Sequence, residues 1–501
     1  LGDNLITLEA FMQAMERAKK FFLSNIVDSA ETEIDSGEKK AAASIYKKSV
    51  HVYSHLDTDG LTSATILAQL LQRASIGFQI TILRQLEASY IAEIAQEIKQ
   101  FNRFIIFSDF GTGQLDLLTQ QLPSDCFLIL DHHKPEFPDI PHAVNHINPY
   151  YYDIRGEDEI SAAGVVYLFA KTFSPKNIDL SHLAIIGAMG DMQNNGNQRT
   201  FHSINKIILQ EAIDSGKIST ELNVAISRSS PIDRSLCNTL SEKIPGISGE
   251  LNHVQEFLRR QHIPFMDDLG GARTLQDLSE MEIRKLNSGL IQYAIMECGW
   301  SSEKAKKNYT TFYLLKDYNQ NHNSVSNGRE MSRLLNSCGR SGHPSLGIAL
   351  LLGDREALTE ALKILRDFKL KIRNAVQNAK VNIRELEHIY TVYESSVDER
   401  IIGTICSILI HSELEPSKPL FAFSDSDNHQ LKISARADSS LVKKGLDLGL
   451  ILREICKNME ISEPGGGHPP AAGAKIPANR LKTFIDHANE MVKEQLTGKK
   501  A

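Results

Sequence analysis

Several short stretches of this chain place acids or histidines directly after apolar runs. Asp57 and Asp59 stand in HLDTDG, Asp109 in SDFG, Asp131-His132-His133 in LDHHKP, and Asp191 in GDMQ. Each run reads as a buried element, so each polar group is expected at an element's end. Carboxylates and imidazoles placed in this way suit hard divalent cations. Four carboxylates with one or two imidazoles are too many for one tetrahedral zinc and enough for a two-metal centre. Such a centre activates water through Lewis acidity, so no serine or cysteine nucleophile is required. Asp131 is expected to fix the tautomer of His132, and His133 can donate to a phosphate oxygen. Taken singly, DTDG also reads as an Asp-rich turn with a helix N-cap, and SDFG as another capped strand end. Their joint occurrence between positions 57 and 191 favours the metal reading.

The elements that must hold these residues follow from the apolar pattern. Strands are expected near 49–55, 78–83, 103–108, 126–131 and 143–147, with helices near 60–73, 87–100, 113–121, 161–173 and 180–189. This alternation predicts an α/β fold with a mainly parallel sheet and its active residues at the strands' carboxyl ends. Residues 1–48 read as a helical lead-in, 49–249 as the catalytic domain and 250–345 as a helical insertion. Within or beside that insertion, helices are expected at 203–214, 250–262 and 275–297, and the polar stretch at 317–328 reads as a loop or lid. Residues 346–386 continue it into a long linker helix, patterned from about 354. Residues 387–501 read as a smaller α/β domain with strands near 388–394, 420–424 and 430–436 and helices near 398–411, 444–457 and 479–496. GGGHPPAAG at 465–473 is too glycine-dense for a helix or strand interior and is expected to be a loop. The bare amides of Gly465, Gly466 and Gly467 can approach a phosphate there, and His468 can donate to it. Arg436 is the expected phosphate fork, assisted by Ser434.

Composition narrows the class. A chain of 501 residues implies two or three domains, and 42% hydrophobic with 23% charged residues is ordinary for a soluble protein. No apolar run reaches the roughly 20 residues of a membrane span. The start, at Leu1, does not read as a signal peptide. Six scattered cysteines without a CxxC pair argue against a disulfide framework and for a reducing cytoplasm. A net charge of −7 speaks against a DNA-coating protein but permits a local basic groove. Lys363, Arg366, Lys369, Lys371, Arg373 and Lys380 could line such a groove or form a solvated helix face. Arg329, Asn336 and Arg340 are candidate phosphate contacts or surface residues, and Tyr150, Tyr151 and Tyr152 could stack a base or belong to the core.

In this order HxDxDG, DFG, DHH and GD resemble the four motifs of the DHH phosphoesterase superfamily. Asn148-Pro149 and SAAG at 161–164 resemble its RecJ branch. LKISAR at 431–436 and GGGHPPAAGA resemble the DHH-associated domain. The stretch at 329–354 is similar to archaeal RecJ-type exonucleases, relatives of a eukaryotic replicative-helicase subunit. The resemblance covers about residues 49–476. It implies two Mn²⁺ or Mg²⁺ ions held by Asp57, Asp59, Asp109, His132 and Asp191, with Asp109 bridging and His133 on the scissile phosphate. His55, two positions before Asp57, is a further candidate for metal or substrate, whereas some branches carry a ligand histidine four positions before that Asp, where this chain has Tyr53. Substrate binding is implied for His133, Ser434, Arg436 and Gly465, Gly466, Gly467 and His468. The implied activity is exonucleolytic release of mononucleotides from single-stranded DNA, with RNA as a second polymer, 5′→3′, in replication or repair. GINS-type replication proteins are implied partners, and no membrane is. The alternatives are a phosphoesterase of short oligonucleotides or cyclic dinucleotides, and a replisome scaffold.

Overall fold

All residues of Phe104–Ser108 and Phe127–Leu130 are buried, as are five of the six in Val50–His55. Strands apolar on both faces need helices on both. The computed structural model, which describes residues 2–27, 46–135, 143–240, 242–318, 325–427, 429–461 and 465–498, has that arrangement. The chain forms two compact units, 1–362 and 363–501.

The first unit begins with α1 (Gly2–Ile26), β1 (Val50–His55), α2 (Thr58–Arg73), β2 (Phe78–Leu83), α3 (Ala88–Phe101) and β3 (Phe104–Ser108). It continues through α4 (Leu115–Gln121), β4 (Phe127–Leu130), β5 (His146–Ile147), α5 (Ala162–Phe173) and α6 (Ser181–Gly190). The sheet is parallel throughout, in the order β2-β1-β3-β4-β5. Ile91, Ile94, Ile98 and Leu118 of α3 and α4 cover Tyr53, Phe107 and Ile129 on one face. The other face includes α1, where Phe22 meets Phe104 edge-on at 5.2 Å and Phe169 at 6.3 Å. The expected lead-in is therefore part of the core as far as residue 26; its residues 28–45 lie outside those described. Because β1 has β2 on one side and β3 on the other, the strand order reverses there. The crevice at the carboxyl ends of β1 and β3 is where such folds place a ligand.

The rest of this unit comprises α7 (Ser203–Asp214), β6 (Ile218–Val224), α8 (Ile232–Thr239), α9 (Leu251–Arg260), α10 (Glu280–Met296), α11 (Ser302–Lys306), β7 (Tyr309–Leu315), α12 (Gly328–Arg340) and α13 (Pro344–Leu351). The stretch 250–345, expected to be a helical insertion, also contains the strand β7. β6 and β7 pair antiparallel across the intervening helices. Val224 and Phe312 on this pair join Ile232, Phe257 and Leu286 in one core. Of the polar stretch 317–328, residues 319–324 lie outside those described, while Asn327 caps α12 by accepting from the Arg329 amide.

Helix α14 (Arg355–Val381) crosses the boundary between the units. The second unit adds β8 (Arg384–Glu385), β9 (Tyr390–Tyr393), α15 (Ile402–Ser412), β10 (Leu420–Ser426), β11 (Gln430–Arg436) and α16 (Ser439–Val442). It ends with α17 (Leu448–Asn458), β12 (Gly466–His468), β13 (Ala471–Pro477) and α18 (Leu481–Thr497). Its sheet runs β12-β13-β11-β10-β9-β8. Leu452 of α17 and Phe484 of α18 pack with Phe421 and Ile433 on one face. Ile405 of α15 and Ala379 of α14 pack with Val392 and Ala422 on the other. The glycine run was expected to be a loop, yet Gly466–His468 is a strand. It is a three-residue outer strand with one partner, and Gly467, at φ +142°, takes a backbone conformation that other residues avoid.

Candidate metal centre

The turn after β1 does two jobs. Asp57 is the N-cap of α2, its Oδ1 accepting from the Gly60 amide at 3.1 Å. Asp59, in the first turn of α2, instead reaches the start of α5. Its Oδ2 accepts from the Ala162 amide at 2.7 Å and its Oδ1 from the Ala163 amide at 3.0 Å. Free amides at a helix start favour a carboxylate. Helix α6 approaches closely enough that a Cβ at Gly187 would overlap the Asp59 carboxylate and the Thr62 hydroxyl. Asp191 sits at the C-cap of α6. Asp109 follows β3 in the left-handed region, at φ +63°.

His132 follows β4 and donates from Nδ1 to the Gly156 carbonyl at 2.7 Å, which leaves the Nε2 lone pair free. Nε2 lies 3.3 Å from Asp191 Oδ2, 3.5 Å from Asp109 Oδ1 and 3.9 Å from Asp59 Oδ2. His55 Nδ1 lies 3.0 Å from Asp57 Oδ2 and 3.5 Å from Asp109 Oδ2. Three three-residue donor groups result, His55/Asp57/Asp109, Asp59/His132/Asp191 and Asp109/His132/His133, each with its atoms within 4.8 Å of one another. Asp109 belongs to the first and third and lies 3.5 Å from His132 of the second. All of the expected cluster residues converge at the β1/β3 crevice, His55 included.

Acceptors outnumber donors here. Asp109 Oδ2 is buried and has no hydrogen-bond donor among the described residues. Burial, then the neighbouring Asp109 charge, pushes the Asp59 carboxyl up to about 7. Burial and Asp59 likewise raise Asp191 well above the ordinary range. Burial opposes a charge on His132, yet Asp109, Asp191 and Asp59 together raise it well above its usual value. His55 is raised in the same way by Asp57 and Asp109 against its burial. Burial opposes the Asp57 charge too, but His55 and the Gly60 amide hold that carboxyl below its usual range. Protons are thus gripped in place of missing positive charge, which a divalent cation supplies. Cis ligands of an octahedral ion with bonds near 2.1 Å stand about 3 Å apart. The stranded Asp109 oxygen, the oxygen-rich donors and one poised imidazole fit a divalent metal.

One expectation is corrected. Asp131 does not set the tautomer of His132; the Gly156 carbonyl does. Asp131 Oδ1 instead holds His133 Nδ1 at 2.8 Å and also takes the His132 amide, while Oδ2 takes the Thr112 amide at 3.0 Å. Its two oxygens are occupied before the His132 ring could reach them. His133 therefore presents Nε2, from a side chain 46% exposed, next to the His132 ring. Asn336 is committed to positioning, its Oδ1 accepting from the Thr58 amide at 3.2 Å, and Arg340 helps to hold the Asp57 carboxyl down. Tyr152 packs on Phe11 and Tyr151 bonds His146, so both serve the core. The Ala162 and Ala163 amides were not foreseen as part of the centre; the Ser161 helix cap was their available signal.

In the second unit the expected substrate-side residues share one sheet. Gly466, Gly473 and Ser434 lie in register across β12, β13 and β11, as do His468, Ala471 and Arg436. Period-two geometry puts both rows on one face. Arg436 Nε donates to Ser407 Oγ at 2.9 Å, and Gly403 at the start of α15 lies close to Arg436 and Ser434. Over β12 the face is open: nothing stands within 4 Å of a Cβ built at Gly466. Gly465, before that strand, lies against the Leu452 carbonyl of α17.

Comparison with known proteins agrees with this geometry. Residues 49–190 match the DHH family, N-terminal domain, and residues 385–494 match the DHHA1 domain. An uncharacterised protein of Methanocaldococcus jannaschii is 29% identical over 450 residues, 89% of this chain and 94% of its own length. The single-stranded-DNA-specific exonuclease RecJ of Escherichia coli is 25% identical over 179 residues, 32% of this chain and 29% of that protein. Among solved structures, CDC45 from Entamoeba histolytica has a TM-score of 0.60 at 13% identity, covering 98% of this chain and 99% of its own. RecJ from Thermus thermophilus, in complex with Mn²⁺, has a TM-score of 0.54 at 13% identity, covering 97% of this chain and 55% of that one. Fold and site together define a metal-dependent phosphoesterase, a hydrolase. The chain belongs to the DHH superfamily, as a RecJ-like member.

Proposed function

We propose that this protein is a two-metal exonuclease releasing mononucleotides from single-stranded DNA, and from RNA as a second substrate, in the 5′→3′ direction. The observation that carries the reading is Asp109, wedged between two donor groups with a buried oxygen that no hydrogen bond satisfies. In this reading Asp57, Asp109 and His55 hold one ion, and Asp59, Asp109, His132 and Asp191 hold the other. Mn²⁺ or Mg²⁺ there supplies Lewis acidity, lowering the pKa of water and neutralising phosphate charge. The residues do the rest. The Ala162 and Ala163 amides hold Asp59 in one orientation. The Gly156 carbonyl keeps the His132 proton on Nδ1. Asp131 keeps His133 turned outward, and its charge, against burial, raises the His133 pKa, so that the ring can donate to a scissile phosphate oxygen. In the second unit Arg436, Ser434, the open glycine strand and His468 form a bed for the substrate.

The likeness to the E. coli exonuclease supports single-stranded DNA as the polymer, and the GINS-type replication partner is the one implied by the resemblance of residues 329–354 to archaeal RecJ-type exonucleases. Digestion of DNA and RNA strands labelled at either the 5′ or the 3′ end, with Mn²⁺, tests the reading. Mononucleotides should appear first from the 5′-labelled strand and vanish with chelator. Cleavage of dinucleotides or cyclic dinucleotides without cleavage of long strands would replace it with the short-substrate alternative. Failure to co-purify any replication factor would remove the partner.

A further inference from the structure

Helix α12 touches the metal centre at one end and carries an unbalanced group of cations at the other. Towards its C-terminus Asn336 accepts from the Thr58 amide and Arg340 acts on Asp57. Arg329, Arg333, Asn336 and Arg340 recur at spacings of four, three and four, so they share one helical face. Arg329 is partly buried, with Arg199 and Arg333 as its like-charged neighbours. Burial and those two charges push its guanidinium down to about 10. Among the described residues no carboxylate is paired with any of the three arginines. Holding such a group together costs free energy unless an anion joins it.

The group is rigidly mounted. Gly328 sits against the Met189 sulfur, two residues before Asp191, so the first turn of α12 abuts the end of α6. Arg199 has left-handed backbone at φ +62°, and its carbonyl accepts from the Tyr313 hydroxyl at 2.9 Å. The seven residue steps from Arg329 to Asn336 span about 10 Å along the helix axis.

We infer that Arg199, Arg329 and Arg333 bind a phosphate of the polynucleotide other than the one being cleaved. This rests on the nuclease reading and deepens it, because a second phosphate site rewards a polymer over a minimal diester.

Steady-state digestion of single-stranded DNA with Mn²⁺ tests the inference in wild type, Arg333→Gln and the Arg329→Gln/Arg333→Gln pair. Each enzyme is also given strands in which one phosphate at a time is an uncharged methylphosphonate. For the pair, KM should rise about tenfold, and the slope of log KM against log salt should fall by about 0.7 for each arginine removed, with kcat changing far less. Arg329→Lys should recover most of the loss. One methylphosphonate position beside the cleaved bond should cost wild type what the pair has lost, and cost the pair nothing further. If that position is a terminal phosphate, phosphatase treatment reproduces the effect; if it is internal, it does not. Arg333 is exposed, so its single variant decides the matter should the pair fail to fold. Unchanged KM and salt slope in an active enzyme would overturn the inference and leave the nuclease intact. A wild type that cleaves no polynucleotide would overturn both.

Discussion

The two ends of β1 carry histidines in opposite circumstances. At its start, His51 Nδ1 meets Glu97 Oε1 at 2.6 Å and Nε2 meets Thr81 Oγ1 at 2.8 Å. Glu97 also accepts from the Tyr53 hydroxyl at 2.7 Å and from Arg103 at 2.6 Å, so donors and acceptors balance. At its far end, His55 and His132 face four carboxylates, and one buried carboxylate oxygen has no donor. Both clusters are polar and largely buried. What separates a metal site from a structural network is therefore surplus acceptor capacity, not burial or polarity.

The largest effect should come from removing the shared acceptor. Asp109→Asn is expected to lower kcat/KM by roughly three orders of magnitude, about 4 kcal/mol of barrier. In thermal unfolding it should also abolish stabilisation by Mn²⁺, which for wild type is about 2.7 kcal/mol at a hundredfold excess over Kd. A retained Mn²⁺ shift would show that Asp109 is not the pivot. In the balanced cluster the opposite pattern is expected. Glu97→Ala should destabilise by about 3 kcal/mol, because it strands His51 and Tyr53, yet leave the Mn²⁺ shift intact. An equal loss of the metal shift would erase the distinction between the clusters. Asp131→Asn should lower activity by about 10–100-fold through disordering of His133, with metal binding kept; a normal rate would detach His133 from the chemistry.

The smallest effect is on pH dependence. In the metal-free protein Asp59, at about 7, and the raised Asp191, His55 and His132 all bind protons more tightly folded than unfolded. Their contribution is present at low pH and is lost as pH rises through these folded values. The balanced cluster has the reverse sign. Burial lowers His51 despite its Glu97 partner, so its contribution is lost only as pH falls below 6.5. Between about pH 6.5 and 8 the metal centre alone should set the slope. Stability to urea with chelator should then fall by about 2 kcal/mol for each proton held only by the folded state across that range, and Mn²⁺ should reverse the trend by displacing protons. A metal-free protein that gains stability over this range would contradict the assigned surplus.

The acids and histidines at strand ends were readable because the preceding runs are apolar and short and leave little freedom over where each strand stops. DTDG was ambiguous between helix cap and metal site; Asp57 caps α2, and its other oxygen is left facing His55. The partner of Asp131 could not be read, since it depends on the direction in which each imidazole turns. Nor could the grip of the α5 amides on Asp59, which joins positions far apart in the chain. The strand YTTFYLL had the β-branched and aromatic content to be recognised, but its helical surroundings and distant partner hid it. The glycine strand β12 broke the propensity rule because an outer strand needs only one neighbour.

Asp109 combines left-handed backbone with a stranded, solvent-shielded oxygen, and each is a small debit against folding. Asparagine or glycine would adopt that conformation more comfortably and carry no charge there. Laboratory evolution of this chain for heat tolerance alone would thus drift towards well-folded, inert molecules. Any thermostability screen on it should be coupled to a turnover assay from the first round.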